Sequence, residues 1–407
     1  MICSKQFTDL NLRLFAHSVK SCCKTDETDF TIEDMQEHGP MVFLKHRELV
    51  ERRKTHLWEN KLPDACNFCA KTEPNSMRKF WNKWPEPTRD SKREEIENTD
   101  HLFYFEIVSS TACDLACIYC NAENSSTWAK EMNIPIVKTD PEWKNQLVKN
   151  FYAYLEQKDY SNLPDGLVFS FSGGEPTYNN ETFDLIENIV EIIKDKSDDI
   201  NIHITSNFNT KPKQMDKFIK LVNDNPNIKW LFMASIDDLY DRNNAIRYRS
   251  EFNTCIDNLL KVNNSAANVV LMPSINVFSL PYIVEYIDYF TNLLGKDRYQ
   301  NGWAFATNVI YGPDYLSPFM LGEDYKSIID EAIKKSLMIN PAENMTYNAV
   351  HWIKHLENIK SNIAMNNDID TWRKLKWFLE GVSARRGVDI ADTFDHVKKI
   401  VDVLEDE

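Results

Sequence analysis

From residue 101 onward, short apolar runs of strand length alternate with longer stretches whose apolar positions recur every three or four residues. The runs 102–108, 167–171, 201–205, 229–234, 269–275 and 303–310 are rich in β-branched and aromatic residues and predict strands. The stretches 142–157, 181–195, 212–223, 251–262 and 281–293 predict helices between them. Six β/α repeats in this order predict an α/β fold with a parallel sheet, open or closed into a partial barrel. Chemistry in such folds sits at the C-terminal ends of the strands. After Pro313 the rhythm becomes helical only, over 323–338, 346–363, 370–380 and 389–405.

The first hundred residues lack this repeat. Alternation over 10–20 predicts a hairpin and 43–58 a charged helix, while 85–100 (PEPTRDSKREEIENTD) is polar enough for a linker or surface loop. Three regions result: a small α+β module over 1–100, the alternating region over 101–315, and a helical extension over 316–407.

Composition adds boundaries to this picture. At 407 residues the chain is long enough for two or three domains, and 43% hydrophobic with 12% aromatic residues fits a globular protein. No apolar run reaches spanning length, and MICSKQFTDLNLRLF lacks the basic-then-apolar build of a secretory signal, so a cytoplasmic protein without a membrane partner is expected. A net charge of −15 argues against broad nucleic-acid binding, which needs a basic face. The nine cysteines stand at 3, 22, 23, 66, 69, 113, 117, 120 and 255, eight of them in the first 120 residues. Without an export signal, that crowding predicts thiolate chemistry in a reducing compartment rather than a disulfide framework.

Cys113-Asp-Leu-Ala-Cys117-Ile-Tyr-Cys120 follows the first predicted strand with the spacing C-x3-C-x2-C. Four thiolates close a cubane cluster, so three leave one iron open to an outside ligand. A zinc site with its fourth ligand elsewhere is the alternative, although zinc sites more often use mirrored C-x2-C pairs. The loop resembles the defining motif of the radical S-adenosylmethionine superfamily, C-x3-C-x-aromatic-C, with Tyr119 as the aromatic residue near the adenine. The resemblance implies a partial (β/α)6 TIM-like barrel. It also implies a [4Fe–4S] cluster on Cys113, Cys117 and Cys120, and cleavage of S-adenosylmethionine to a radical that takes hydrogen from a substrate.

Later strand ends are similar to further motifs of that superfamily. Ser172-Gly173-Gly174-Glu175-Pro176 looks like its GGEP turn, which binds the methionine amino group; in a chain with ten glycines, an adjacent pair at a strand end also suggests close backbone approach. Ser206-Asn207 resembles its Thr-Asn ending, and Ser235-Ile236-Asp237-Asp238 its Ser-Leu-Asp-Gly. Ile246-Arg247-Tyr248 resembles Ile-Arg-Tyr-Gly, whose arginine pairs with the methionine carboxylate, a role that suits a planar, always-charged fork. Arg249 stands where that motif has glycine, which leaves Arg247 and Arg249 as alternatives. Asn276, ending the fifth strand, is either an adenine contact or a strand-end cap.

Cys3, Cys22 or Cys23, and Cys66-x2-Cys69 bring enough thiolates for structural zinc or a fully ligated cluster, which spacing does not separate. Their pattern, continued through Glu73, Ser76 and Arg78, is similar to a twitch domain, a shortened SPASM module. The resemblance implies a second, auxiliary [4Fe–4S] cluster on Cys3, Cys22, Cys66 and Cys69, in a subgroup whose module precedes the barrel. His17 occupies the glycine of that module's Gly-x4-Cys, so Cys23 remains the alternative to Cys22.

Other features read as packing. His351 and His355 lie one turn apart among Trp352, Ile353, Leu356 and Ile359, the pattern of an amphipathic helix. Cys255 sits in a helical run as a small hydrophobe, with a hydrogen-donor role as its alternative. The segment 77–84 (MRKFWNKW) reads as aromatic core. Arg385-Arg386-Gly387 resembles a short Arg-Gly element of the same subgroup and receives no role. The expected partners are a reductant such as flavodoxin or ferredoxin and a substrate. That substrate is a ribosomally made peptide undergoing oxidation, crosslinking or epimerisation, or else a sugar or other small molecule. A non-catalytic scaffold with structural zinc is the alternative of another class.

Overall fold

The structure is a computed structural model that describes residues 5–22, 24–59, 61, 63–66, 97, 100–136, 139–160, 163, 166–299, 302–339 and 347–404. The fold is α/β, with a large, mostly parallel sheet. The chain forms two compact units, one of 1–111, 137–204 and 225–229, the other of 112–136, 205–224 and 230–407.

In the first unit the hairpin expected over 10–20 is present as antiparallel strands Asp9–Arg13 and Ser18–Lys20, edged by Thr28–Asp29. A feature that local alternation does not report is the parallel pairing of Asp9–Arg13 with Tyr104–Val108, in the register Leu10↔Phe105. Leu167–Ser172 and Ile200–Ser206 continue the sheet in parallel, with Phe105↔Phe169 and Phe169↔Ile202. The buried row faces the helix Pro141–Gln157, which starts on an Asp140 cap with proline in its first turn. Phe105 stacks on Phe169 at 5.1 Å and meets Phe151 edge-on at 5.5 Å. Each such ring contributes roughly 1.5–3 kcal/mol by burial. Because side chains alternate along a strand, Glu106 and Ser172 fall on the opposite face. There Glu106 accepts from Asn11 Nδ2 at 2.7 Å and Ser172 Oγ at 3.1 Å.

The predicted helix 43–58 is interrupted: Val42–Lys45 and Arg47–Trp58 are separate, with His46 at φ −54, ψ 126. The His46 ring stacks on Phe30 at 4.5 Å and its Nε2 lies 3.5 Å from Asp34, contacts that a continuous helix-period reading does not include.

In the second unit Lys229–Ala234, Asn268–Leu271 and Trp303–Phe305 run parallel, with Leu271↔Ala234 and Leu271↔Phe305. The predicted strands 269–275 and 303–310 each break in two. Pro273 has no N–H to continue a ladder, and the partner breaks alongside it, so Ser274–Ile275 pairs with Asn308–Val309 as a separate ribbon. Helices Ile283–Leu294 and Tyr347–Asn362 cover aromatic core that includes Tyr286, Phe305 and Trp352. The helix expected over 370–380 extends over Ile369–Arg386 because the left-handed residue that stops it is Gly387, at φ 69. The helix expected over 389–405 shortens to Asp395–Val403, behind a tight turn at Ala391–Thr393. Among the described residues no helix is long and apolar enough to cross a membrane.

Candidate functional site

The cysteine loop lies in the second unit and is held by backbone atoms. Ala116–Cys117 pairs antiparallel with Arg247–Tyr248, in the register Cys117↔Arg247. Ile118 N–H donates to Ile246 O at 2.8 Å, and Cys120 N–H to Cys117 O at 2.9 Å. The helix Ser126–Glu131 grips the loop from its own N-terminus: Ser125 Oγ donates to Leu115 O, Thr127 Oγ1 to Cys113 O and Trp128 Nε1 to Cys117 O, each at 2.7 Å. Leu115 N–H points at Cys113 Sγ from 3.5 Å.

Pairing with Cys117 brings Arg247 into a buried centre. Arg247 donates through Nη1 to Tyr119 OH at 2.5 Å and Asp237 Oδ2 at 3.1 Å, while Tyr119 OH donates to the same Asp237 oxygen. Asp237 is itself set by Ser274 N–H on Oδ1 at 2.8 Å and by its own N–H on Asn243. Burial pushes the Tyr119 phenol well up, and the neighbouring Cys117, Tyr119 and Asp237 raise the Arg247 pKa against the same burial. Arg247 Nε is buried with no hydrogen-bond partner among the described residues. An uncapped guanidinium N–H costs desolvation until an acceptor meets it, and a carboxylate is the acceptor whose charge and shape match. Arg249, the sequence alternative, is exposed.

The donor set fits an iron–sulfur cluster. Burial pushes the Cys117 thiol up to about 12; a metal bound there would take the place of its proton. Cys113 and Cys120 are half-buried. Among the described residues no three His, Cys, Asp or Glu side chains close on one metal ion. A cubane makes a different demand, because each thiolate takes its own iron.

The remaining predicted residues of this unit are engaged locally. Asn207 Nδ2 donates to Asp114 Oδ1 at 2.9 Å and its Oδ1 accepts Asn209 N–H at 2.7 Å. Ser206 Oγ accepts Phe208 N–H, and Ser235 N–H donates to Ser206 O. Asn276 caps its own strand end, donating to Ser274 O and accepting from Phe278 and Ser279 N–H. Cys255 is fully buried beside Ser250, 3.4 Å from its hydroxyl.

In the first unit Gly173 and Gly174 both have positive φ, +78 and +50, and a Cβ on Gly173 would stand 2.1 Å from Val108 Cγ1. Glu175 is buried and accepts Thr177 N–H at 3.0 Å and Thr177 Oγ1 at 2.6 Å, which shapes the turn through Pro176. Cys22 and Cys66 are both buried, and the turns that carry them meet where Asp26 N–H donates to Ala65 O at 3.2 Å. His56 Nε2 lies 3.6 Å from Cys66 Sγ and Gln6 Nε2 lies 3.4 Å from it. Burial brings the His56 imidazole down to about 4, so the ring is neutral at neutral pH. Cys3, Cys23 and Cys69 lie outside the described residues, as does 77–84.

Of the three places where the chain departs from a glycine of the resembled motifs, His17 at φ 54 and Arg249 at φ 74 have left-handed backbone and Asp238 does not. The two substitutions back to glycine have opposite expected signs. Arg249→Gly removes about 1–2 kcal/mol of left-handed strain and costs about 0.5–1 kcal/mol of chain entropy, so urea unfolding should show a small gain. His17 has a job at its strained position, accepting Asp140 N–H at 2.8 Å and packing on Trp143 at 4.8 Å, so His17→Gly should lose stability in the same assay.

Sequence reasoning missed three groups at the loop. Asn209 Nδ2 donates to Asp114 Oδ2 at 2.8 Å, so two asparagines clamp the residue after Cys113. Glu131 and Arg386 meet beside Ala116. For Arg386 the available signal was the Arg385-Arg386-Gly387 element, without a partner to give it meaning. No family model matches the chain, and no curated protein matches it.

Proposed function

We propose that this chain is a radical S-adenosylmethionine enzyme built on a partial (β/α)6 barrel. The observation that carries the reading is the joining of two distant motifs. The loop Cys113–Cys120 is zipped to Ile246-Arg247-Tyr248, and Arg247 offers a buried, uncapped N–H beside Tyr119 and Asp237. Left-handed backbone at His17 and Arg249, two of the three positions where the resembled motifs have glycine, is what those motifs require there, while Asp238 at the third is not left-handed.

In this reading Cys113, Cys117 and Cys120 would hold a [4Fe–4S] cluster, and Cys22 and Cys66, with Cys3 and Cys69, an auxiliary one. When bound, the first cluster and S-adenosylmethionine supply a 5′-deoxyadenosyl radical after one-electron reduction by a protein such as flavodoxin or ferredoxin. The protein's own part is positional. Arg247 binds and orients a carboxylate, while Asp237 and Tyr119 keep the guanidinium charged and aimed. The Gly173-Gly174-Glu175-Pro176 turn holds a backbone path that no other residue pair follows without strain. Glu106, tied by Asn11 and Ser172, gives the first unit's sheet a polar face suited to a substrate rich in hydrogen-bond donors. A ribosomally made peptide is the substrate we favour, and oxidation, crosslinking and epimerisation are its open outcomes.

The test is anaerobic purification followed by dithionite-driven release of 5′-deoxyadenosine. The expected result is about eight irons per chain, nucleoside release from the wild type, and none when Cys113, Cys117 and Cys120 are all changed to Ala. Release that survives the triple change, or stoichiometric zinc in place of iron, overturns the reading.

A further inference from the structure

Arg386 is the last residue of the helix Ile369–Arg386, and its Nε and Nη2 are spent on the cysteine loop and the helix that follows it. Its side chain is 1% exposed. Nε donates to both oxygens of Glu131 at 3.1 and 3.0 Å, and Nη2 donates to Ala116 O at 2.9 Å, across 270 residues of chain. The guanidinium carbon stands 4.4 Å from the Tyr248 ring centre and 4.9 Å from that of Trp128. Each contact is to a different wall of the loop. Ala116 and Tyr248 are opposite each other in the two-stranded ladder, Trp128 holds Cys117 O, and Glu131 ends the helix that holds Cys113 O.

A buried arginine costs much desolvation. Two aromatic faces, a carboxylate and the C-terminal end of a helix offset part of it, while burial still lowers the guanidinium's pKa and Nη1 is buried without a hydrogen-bond partner among the described residues. Gly387, left-handed at φ 69, stops the helix one residue later. A lysine offers a point charge, with no plane to lie between two rings and no fork to reach Glu131 and Ala116 together.

We propose that Arg386 is a positioning residue that latches the cysteine loop, so that the C-terminal helical extension sets the geometry in which Cys113, Cys117 and Cys120 hold their metal. The inference rests on reading 113–120 as the cluster loop.

The experiment uses the full chain in two states. On metal-free protein, hydrogen exchange is compared among wild type, Arg386→Ala and Arg386→Lys. The latch predicts faster exchange at Ile118 and Cys120, whose N–H groups bond to Ile246 and Cys117, with Tyr104–Val108 unchanged. After anaerobic reconstitution, Arg386→Ala should weaken retention of the loop's iron by about 10–100-fold, and Arg386→Lys should restore little of it. The midpoint potential of the loop cluster, read by electron paramagnetic resonance, should fall in Arg386→Ala through loss of the positive charge and stay near wild type in Arg386→Lys. Unchanged local exchange overturns the latch, and so does wild-type iron retention with an unmoved potential. If the wild-type loop holds no iron that Cys113, Cys117 and Cys120→Ala removes, the cluster reading fails by itself, and exchange alone decides the latch. Should Arg386→Ala unfold the chain, Glu131→Gln replaces it in the exchange and iron-retention comparisons, and the potential should then rise through loss of a negative charge.

Discussion

Arg247→Met is expected to destabilise the chain by about 3–5 kcal/mol, because it leaves the Asp237 carboxylate buried without its cation. Asp237 Oδ2 accepts from both Arg247 and Tyr119, and Asp237 is completely buried in its side chain. Removing the arginine leaves one hydrogen bond where there were three among these groups. Asp237→Asn alone creates the converse fault, an unpaired guanidinium beside Cys117. The double variant Arg247→Met, Asp237→Asn removes both charges and should cost less than the two singles together, with a coupling of about 0.5–3 kcal/mol. Denaturant unfolding of all four proteins measures it. Strict additivity would mean that the pair does not interact, and the candidate carboxylate site would lose its support.

Gly173→Ala is the second substitution with a large expected effect, and its cost has two parts. The left-handed backbone at φ +78 charges any side chain about 1–2 kcal/mol. The new methyl would also stand 2.1 Å from Val108 Cγ1, and relieving such overpacking adds about 1–3 kcal/mol. Val108→Ala in the same chain removes the second part and leaves the first, so the double variant should recover roughly half the loss. Gly174→Ala, at φ +50, measures a backbone cost next to it. If Val108→Ala recovers nothing, the close approach of these two strand ends is not what Gly173 serves.

Much of the fold could be read locally. The strand over 229–234 falls where alternation puts it, and the helices over 142–157, 181–195, 212–223 and 251–262 shift by at most two residues. These elements carry their own period, and period is a property of neighbours in sequence. The misreadings share a cause that is not local. The break after Leu271 is forced by Pro273 together with the matching break in its partner strand. The interruption at His46 accompanies contacts with Phe30 and Asp34. The parallel pairing of Asp9–Arg13 with Tyr104–Val108 joins segments more than ninety residues apart, and nothing in either segment names the other.

The candidate site divides in the same way. Three cysteines within eight residues were legible as a candidate metal loop, because a loop that short keeps its thiols near one centre whatever surrounds it. Tyr119, Asp237 and Arg247 were each legible as motif residues, yet their shared hydrogen-bonded centre was not. The choice between Arg247 and Arg249 turned on where the ladder ends: Arg247 lies in it opposite Cys117, whereas Arg249 follows its last residue, Tyr248, with left-handed backbone.

By itself, then, the sequence determined the identity of the thiols, the alternating α/β rhythm and the glycine pair at the second strand end. These depend on residue chemistry at short range. Only the tertiary structure decided which arginine is buried beside Cys117, and that Arg386, 270 residues beyond Ala116, closes the cysteine loop. Such contacts are paid for by chain folding over long separations, so no periodicity or spacing records them.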